Sequence, residues 1–196
     1  YTAGAHPEVL ERLIATNAEH TAGYGNDPYT AHAKALIREA IDCPDAEVMF
    51  LVGGTQTNAT AIDGLLARWE GVLAAESGHI AVHEAGAIEA SGHKVLTLPH
   101  YAGKVRAEDV EQYITEFYAD ETYQHMVAPG MLYISQPTEF GTLYSLRELE
   151  ALSATCRKHD IPLYIDGARM AYGLKAEGAD FTLRDIARLA DVFYIG

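Results

Sequence analysis

Short apolar runs alternate along the chain with longer segments in which apolar residues recur every three or four positions. The short runs predict β-strands, and several are apolar on both faces, as strands of a buried and mostly parallel sheet are. Six such runs occur, at residues 48–52, 71–75, 94–98, 131–135, 162–166 and 192–196.

The longer segments predict amphipathic helices at residues 7–20, 30–41, 55–69, 107–118 and 145–159, and the polar segment 119–130 predicts a long loop. Ser145 is expected to cap the last helix, because Glu148 three residues later completes a capping-box pattern. Alternating strands and helices predict a three-layer α/β/α domain. Ligands of such domains lie beyond the carboxyl ends of the strands, so candidate chemistry is sought there.

Composition narrows the classes of partner. The net charge of −14 argues against nucleic acid, whose phosphates require a basic surface. No apolar run approaches the roughly 20 residues of a membrane helix. Cys43 and Cys156 are far apart in the sequence, and two lone thiols fit small buried side chains in a reducing compartment such as the cytoplasm.

A glycine turn follows the first predicted strand, at Gly53, Gly54, Thr55 and Gln56. Two glycines let the backbone turn sharply and approach a ligand, and Thr55 would open a helix with free N–H groups. Such a helix start suits an anion such as a phosphate group. A plain strand–turn–helix connection would show the same pattern, and the spacing matches neither of the common nucleotide-binding loops.

An acidic residue ends the fifth predicted strand, where the apolar run enters Asp166-Gly167-Ala168-Arg169. A carboxylate at that depth costs free energy unless it is paired, and Arg169 is one candidate partner. A purely structural Asp–Arg pair is the alternative. A carboxylate beside the ring nitrogen of pyridoxal phosphate would keep that nitrogen protonated, with the Gly54–Thr55 turn at the phosphate end.

A histidine, His79, follows the second predicted strand. A flat imidazole at that place can stack on a cofactor ring and exchange protons near neutral pH, although a lone histidine is often structural. His83 lies four residues further on, and because the sequence shows no third ligand, no metal site is expected.

Four stretches in this order resemble the L-threonine aldolase branch of the β-eliminating lyases, which are pyridoxal-phosphate enzymes of fold type I. They are residues 24–28 (Tyr-Gly-Asn-Asp-Pro), 53–58 (Gly-Gly-Thr-Gln-Thr-Asn), 79–86 and 166–169. The resemblance implies an enzyme that cleaves β-hydroxy amino acids such as threonine to glycine and an aldehyde. It also implies a homodimer or homotetramer and the large-domain fold of that enzyme class.

The resemblance assigns roles to individual positions. Gly54, Thr55 and Gln56 would bind the cofactor phosphate, and His79 would stack on the pyridine ring. Asp166 would pair with the ring nitrogen. Arg169 would contact the phenolic-oxygen side of the cofactor or the substrate carboxylate. Tyr24 would lie in a loop that reaches an active site at a subunit interface.

The sequence departs from the family pattern at Glu139, which stands where several members have a histidine considered for acid–base work. The base for the substrate hydroxyl is therefore open between His79, Glu139, a bound water and the cofactor phosphate.

The family lysine that binds the cofactor covalently is expected a few residues beyond Gly196. We therefore expect the chain to be a fragment, inactive by itself, with residues 1–20 as an N-terminal segment and 21–196 as a partial large domain. Three alternatives remain: another fold type I pyridoxal-phosphate enzyme (a β-eliminating lyase or an aminotransferase), a non-catalytic domain of the same fold, and a nucleotide-binding module. The glycine spacing disfavours the last.

Overall fold

The computed structural model describes residues 4–196, and the five strands in that range form one parallel sheet. The strands are β1 (Glu70–Ala75), β2 (Val95–Leu98), β3 (Ala128–Ser135), β4 (Leu163–Asp166) and β5 (Val192–Phe193). Their order is β2-β1-β3-β4-β5. The chain therefore leaves β1 outward to β2 and returns to the other side for β3, which makes the carboxyl ends of β1 and β3 a topological switch point.

Helices connect and cover these strands. They are α1 (Pro7–Thr16), α2 (Pro28–Ile41), α3 (Gly54–Leu65), α4 (His79–Val82), α5 (Ala87–Ala90), α6 (Ala107–Ala119), α7 (Leu146–Lys158), α8 (Met170–Gly173) and α9 (Leu183–Leu189). Ser145 caps α7 in a complete capping box with Glu148, as the sequence predicts. In the range 4–196, no helix has both the length and the apolar composition needed to cross a bilayer.

The sheet has an apolar core on each face because successive side chains of a strand point to opposite sides. Leu73 and Leu132 face a core closed by α6, α7 and α9. Val72 and Met131 face the opposite core, which α3, α4 and α5 close. The predicted three-layer α/β/α architecture is thereby confirmed.

The strand predicted at residues 48–52 is wrong, since this run forms no strand in the described part of the chain. Four of its five side chains are instead exposed, including Phe50 and Val52. Strands are stabilised by hydrogen bonds to a neighbouring strand, and apolar composition does not supply that neighbour.

Other boundaries move by a few residues. The last strand stops at Phe193, and α3 ends at Leu65 because Leu66 is already extended. The predicted loop at 119–130 contains a 3-10 turn (Tyr123–His125) and the first residues of β3.

Candidate active site

Asp166 ends β4 and lies beside Ser135, the last residue of β3, in the register of the parallel pair. Its side chain is buried. Oδ2 accepts hydrogen bonds from the Tyr133 hydroxyl (2.5 Å) and from Nδ2 of Asn58 (3.2 Å). Oδ1 accepts one from the backbone N–H of Ala168 (2.9 Å). These donors replace the water that a buried carboxylate loses.

Two buried tyrosines support this carboxylate from the α3 side of the sheet. Tyr133 and Tyr164 are register partners on β3 and β4, and their rings meet edge to face with centroids 5.6 Å apart. Burial raises the pKa of both phenols, and the negative charge of Asp166 raises each pKa further. Both therefore stay protonated, and each hydroxyl serves as a hydrogen-bond donor.

Asn58 connects Asp166 to His79. It is fully buried one turn into α3, and its Oδ1 accepts a hydrogen bond from the Tyr164 hydroxyl (2.8 Å). Its Nδ2 donates to Oε1 of Glu84 (2.6 Å) as well as to Asp166. The same Glu84 oxygen lies 2.7 Å from Nδ1 of His79. A continuous polar chain therefore runs His79–Glu84–Asn58–Asp166.

A tight backbone turn after β1 places His79 next to the carboxyl end of that strand. It is the first residue of α4, and Gly78 precedes it as N-cap. A Cβ on Gly78 would come within 2.9 Å of the Ala75 carbonyl oxygen, so only glycine permits this turn. The His79 side chain keeps 40% of its surface exposed, whereas that of Glu84 is fully covered. His79 thus has a partly exposed imidazole whose Nδ1 is held by a buried carboxylate.

The hydrogen-bonded chain from His79 to Asp166 is one polar branch of the site, and a second polar branch starts at the end of β3. The Ser135 hydroxyl donates to Oε1 of Glu139 (2.6 Å), and a terminal nitrogen of Arg169 lies 3.8 Å from that oxygen. Two hydrogen bonds of 2.9 Å between the Gln136 side chain and the Tyr144 backbone hold the intervening loop. Glu139 and Arg169 are therefore placed at the same strand end as Asp166.

An open cleft of about 540 Å³ adjoins this branch. It is lined by Glu76, Ser77, Val82, His83, His100, Glu139 and Phe140. The buried hydroxyl of Ser77 and Nε of Arg169 find no hydrogen-bond partner among the described residues. Such atoms are available to a polar ligand, because a buried polar group without a partner is costly.

The predicted phosphate end is the start of α3. Gly54 packs against the Tyr194 hydroxyl, which a Cβ would approach to 2.8 Å. Thr55 and Gln56 are exposed, and Oε1 of Gln56 accepts a hydrogen bond from the Val52 N–H (3.1 Å). Within residues 4–196, no side chain caps this helix start. Its first N–H groups can therefore serve an anion.

The structure brings together most of the predicted site residues. His79, Asp166, Arg169 and Glu139 lie along the two polar branches. The branches join where the Tyr133 hydroxyl lies 3.4 Å from that of Ser135. The Gly54–Gln56 turn begins the helix that carries Asn58. Tyr24 does not join them, since its side chain is fully exposed between α1 and α2, and its interface role stays a prediction.

Sequence reasoning missed Asn58, Glu84, Tyr133 and Ser135 as site residues. One signal was present: Asn58 precedes the core residue Ile62 by four positions and therefore lies on the apolar side of α3. A polar residue on such a face needs buried partners. Tyr133 and Ser135 likewise share a face of β3 with Met131, but that alternation does not reveal which strand lies beside them.

These residues suit the cofactor that the resemblance implies. Asp166 and Glu84 are two buried carboxylates that share one amide, and none of the lysine or arginine ion pairs in the described chain involves either. A protonated ring nitrogen against Asp166 would balance this charge. The α3 start would take the phosphate, and the partly exposed imidazole of His79 would offer a flat surface for the ring.

The chain is similar to known proteins in both sequence and fold. A family model described as beta-eliminating lyase matches residues 2–196. A low specificity L-threonine aldolase from a Pseudomonas species is 32% identical over 170 residues, which are 86% of this chain and 48% of that protein. The structure of a Leishmania major threonine aldolase superposes with a TM-score of 0.95 at 48% identity, over 100% of this chain and 56% of that one.

More distant likeness is confined to the fold. An aspartate aminotransferase from Thermus thermophilus gives a TM-score of 0.68 at 21% identity, covering 92% of this chain and 45% of that one. The chain spans about half the length of the curated relatives it matches.

Proposed function

Since the chain belongs to the β-eliminating lyase family, we propose that the complete protein is a pyridoxal-phosphate-dependent lyase acting on β-hydroxy amino acids. It cleaves threonine or allo-threonine between Cα and Cβ and yields glycine and an aldehyde. The names of the relatives support this activity above amino transfer, because the aminotransferases are similar at the level of the fold alone.

The observation that carries the proposal is the placement of Asp166. It is buried at the end of β4 and hydrogen-bonded by Tyr133 and Asn58, without a lysine or arginine ion pair among the described residues. A carboxylate so placed selects a positively charged group, and the ring nitrogen of pyridoxal phosphate is one. Gly54, Thr55 and Gln56 would hold the phosphate, and His79 would lie against the ring.

The chain's own residues would bind and orient the substrate. Pyridoxal phosphate, when bound, accepts the electron pair released at Cα. Arg169, whose Nε is buried without a partner in the described chain, would bind the substrate carboxylate. Its position would fix the breaking bond relative to the ring, and orientation of this kind selects the reaction.

Glu139 is the best-placed acceptor for the proton of the substrate hydroxyl. It lines the cleft, and Oε1 is positioned by the Ser135 hydroxyl (2.6 Å). At His79, Glu84 occupies Nδ1 and leaves only Nε2 to accept a proton, and Glu139, unlike His79, lines the described cleft. We therefore assign the acid–base role to Glu139 and the stacking role to His79.

We further infer a homodimer or homotetramer in the cytoplasm. Helix α1 supports self-association, because it buries none of its residues in this chain. Its exposed apolar side chains are Val9, Leu10, Leu13 and Ile14. An apolar face of this kind is typical of an interface. Tyr24, in the connection between α1 and α2, would then reach the neighbouring subunit's site.

Product analysis on the full-length protein tests the proposed function. Threonine should give glycine and acetaldehyde in equal amounts, and phenylserine should give glycine and benzaldehyde. Tyrosine should give no phenol. Phenol and pyruvate from tyrosine would identify a β-eliminating reaction instead. Transfer of the amino group to a keto acid would identify an aminotransferase. Either result without glycine formation would overturn the proposal.

A further inference from the structure

The orientation of the Asn58 side chain is fixed by its neighbours. Its Nδ2 faces two carboxylates, at 2.6 Å from Glu84 and 3.2 Å from Asp166, and Oδ1 accepts from the Tyr164 hydroxyl. Reversing the amide would direct its oxygen at both carboxylates, which is repulsive. The two amide hydrogens are therefore each committed to one acid.

Only one of the two carboxylate oxygens of Glu84 has hydrogen-bond partners among the described residues. Its Oε1 accepts from Asn58 and lies 2.7 Å from Nδ1 of His79. Its Oε2 is buried and has no hydrogen-bond partner within the described range. An ionised carboxylate only accepts hydrogen bonds, so the hydrogen between the two groups belongs to Nδ1 of His79. The other ring nitrogen, Nε2, is then the one without hydrogen in the neutral imidazole.

We propose that Glu84, oriented by Asn58, is a positioning residue that holds His79 in the tautomer with its hydrogen on Nδ1. A neutral histidine in water favours the other tautomer only slightly, so one charged hydrogen bond is enough to decide the choice. The partly exposed His79 ring then offers Nε2 as an acceptor and keeps a fixed plane. The use of that plane rests on the proposed function, in which His79 lies against the cofactor ring.

The same bridge links the two ends of the site. Asn58 donates hydrogen bonds to both Asp166 and Glu84 through one nitrogen. The carboxylate proposed to face the ring nitrogen and the carboxylate that holds His79 are therefore fixed by the same amide. A displacement of either carboxylate changes the position that the amide offers to the other. His79 and Asp166 are therefore positioned as one unit.

The test is the tautomer of His79 in the full-length protein without added cofactor. Histidine labelled with ¹⁵N distinguishes a protonated from an unprotonated ring nitrogen by NMR chemical shift. The His79 signals are assigned by their loss in His79→Asn. The neutral wild-type ring should show the hydrogen on Nδ1. A wild-type spectrum with the hydrogen on Nε2 would overturn the proposal without any further variant.

Three substitutions sharpen the test. In Glu84→Leu the acceptor is gone, and His79 should revert to a mixture dominated by hydrogen on Nε2. In Glu84→Gln the amide hydrogens of Asn58 require the Gln oxygen to face inward, so the Nδ1 hydrogen should persist. Loss of that hydrogen in Glu84→Gln would overturn the role given to Asn58. Glu89→Leu removes an exposed carboxylate on α5 and should leave the His79 spectrum unchanged.

Steady-state kinetics give an independent readout. Glu84→Leu should lower kcat by about 10- to 100-fold with a smaller change in KM, as removal of a partner that orients a functional histidine does. Glu84→Gln should restore most of that loss. Wild-type kcat in Glu84→Leu would contradict a positioning role. If the wild-type protein releases no aldehyde, the proposed function fails, and the tautomer result still decides the role of Glu84.

Discussion

The hydroxyl of Tyr133 donates a 2.5 Å hydrogen bond to Oδ2 of Asp166 across two neighbouring parallel strands. Both side chains are buried, and the pKa of the phenol is raised well above its ordinary value, first by burial and then by the carboxylate charge. The phenol therefore stays protonated and remains a hydrogen-bond donor at neutral pH. It anchors the one acid on which the proposed cofactor site depends.

Tyr133→Phe should destabilise the full-length protein, because it leaves a buried carboxylate oxygen with one donor fewer. The expected loss in free energy of unfolding is about 1–3 kcal/mol. Thermal melting without added cofactor measures it, with the exposed Tyr118→Phe as control. If Tyr133→Phe had the same melting temperature as the control, this hydrogen bond would contribute nothing to the stability of the fold.

Much of the frame that carries this pair could be predicted from sequence. The strand run ending in Asp166 and the capping box at Ser145 depend on local pattern, and both are confirmed. The bridge from Asn58 to Glu84 and Asp166 joins positions 26 and 108 residues apart in the sequence. No local period encodes such a contact, because it depends on how α3 packs across β3 and β4.

The strand predicted wrongly at residues 48–52 also shows that non-local contacts decide the structure. Its apolar pattern is as strong as that of the true strands, but pairing decides strand formation and is not a property of the segment itself. Tyr24 illustrates the same point, because a role at a subunit interface depends on a second chain and not on the local sequence pattern.

Glu139→Gln tests the acid–base assignment. The substitution keeps the shape and the Ser135 hydrogen bond and removes the ability to accept a proton. We expect kcat for threonine to fall by about 100-fold or more, with little change in KM. Glu108 is an exposed acid on α6, and Glu108→Gln should leave kcat and KM for threonine unchanged. If Glu139 only positions Arg169, KM will rise while kcat is retained, and the assignment fails.

Gly167→Ala should strongly destabilise the fold. A Cβ at this position would collide with the backbone carbonyl oxygen of Tyr194 and come within 3.1 Å of the Met170 side chain. Backbone cannot yield as a flexible side chain does, so we expect a loss of about 3 kcal/mol or more in stability. Gly64→Ala, in α3 with open space around it, is the matched control and should be neutral or slightly stabilising. Equal melting temperatures for the two variants would contradict the packing described at the end of β4.

The two thiols should differ in their response to pH. Burial raises the pKa of Cys156 to about 12, so its thiol stays neutral and unreactive as the pH rises through the range where ordinary thiols ionise. Alkylation of the native protein with iodoacetamide between pH 7 and 10, followed by peptide mass spectrometry, should label Cys156 only slowly. The half-buried Cys43 should label faster, and denaturant should remove the difference. Rapid labelling of native Cys156 at pH 8 would contradict its burial.

The most direct test of the account is cofactor-dependent threonine cleavage in full-length wild-type protein and in Asp166→Asn. This substitution keeps the size of the side chain and removes the charge that faces the ring nitrogen. Wild type should bind pyridoxal phosphate and release acetaldehyde and glycine. Asp166→Asn should fold and lose activity by about 100-fold or more, the size expected when one preorganised electrostatic contact to the reacting group is lost. Full activity in folded Asp166→Asn would contradict a site built around this carboxylate.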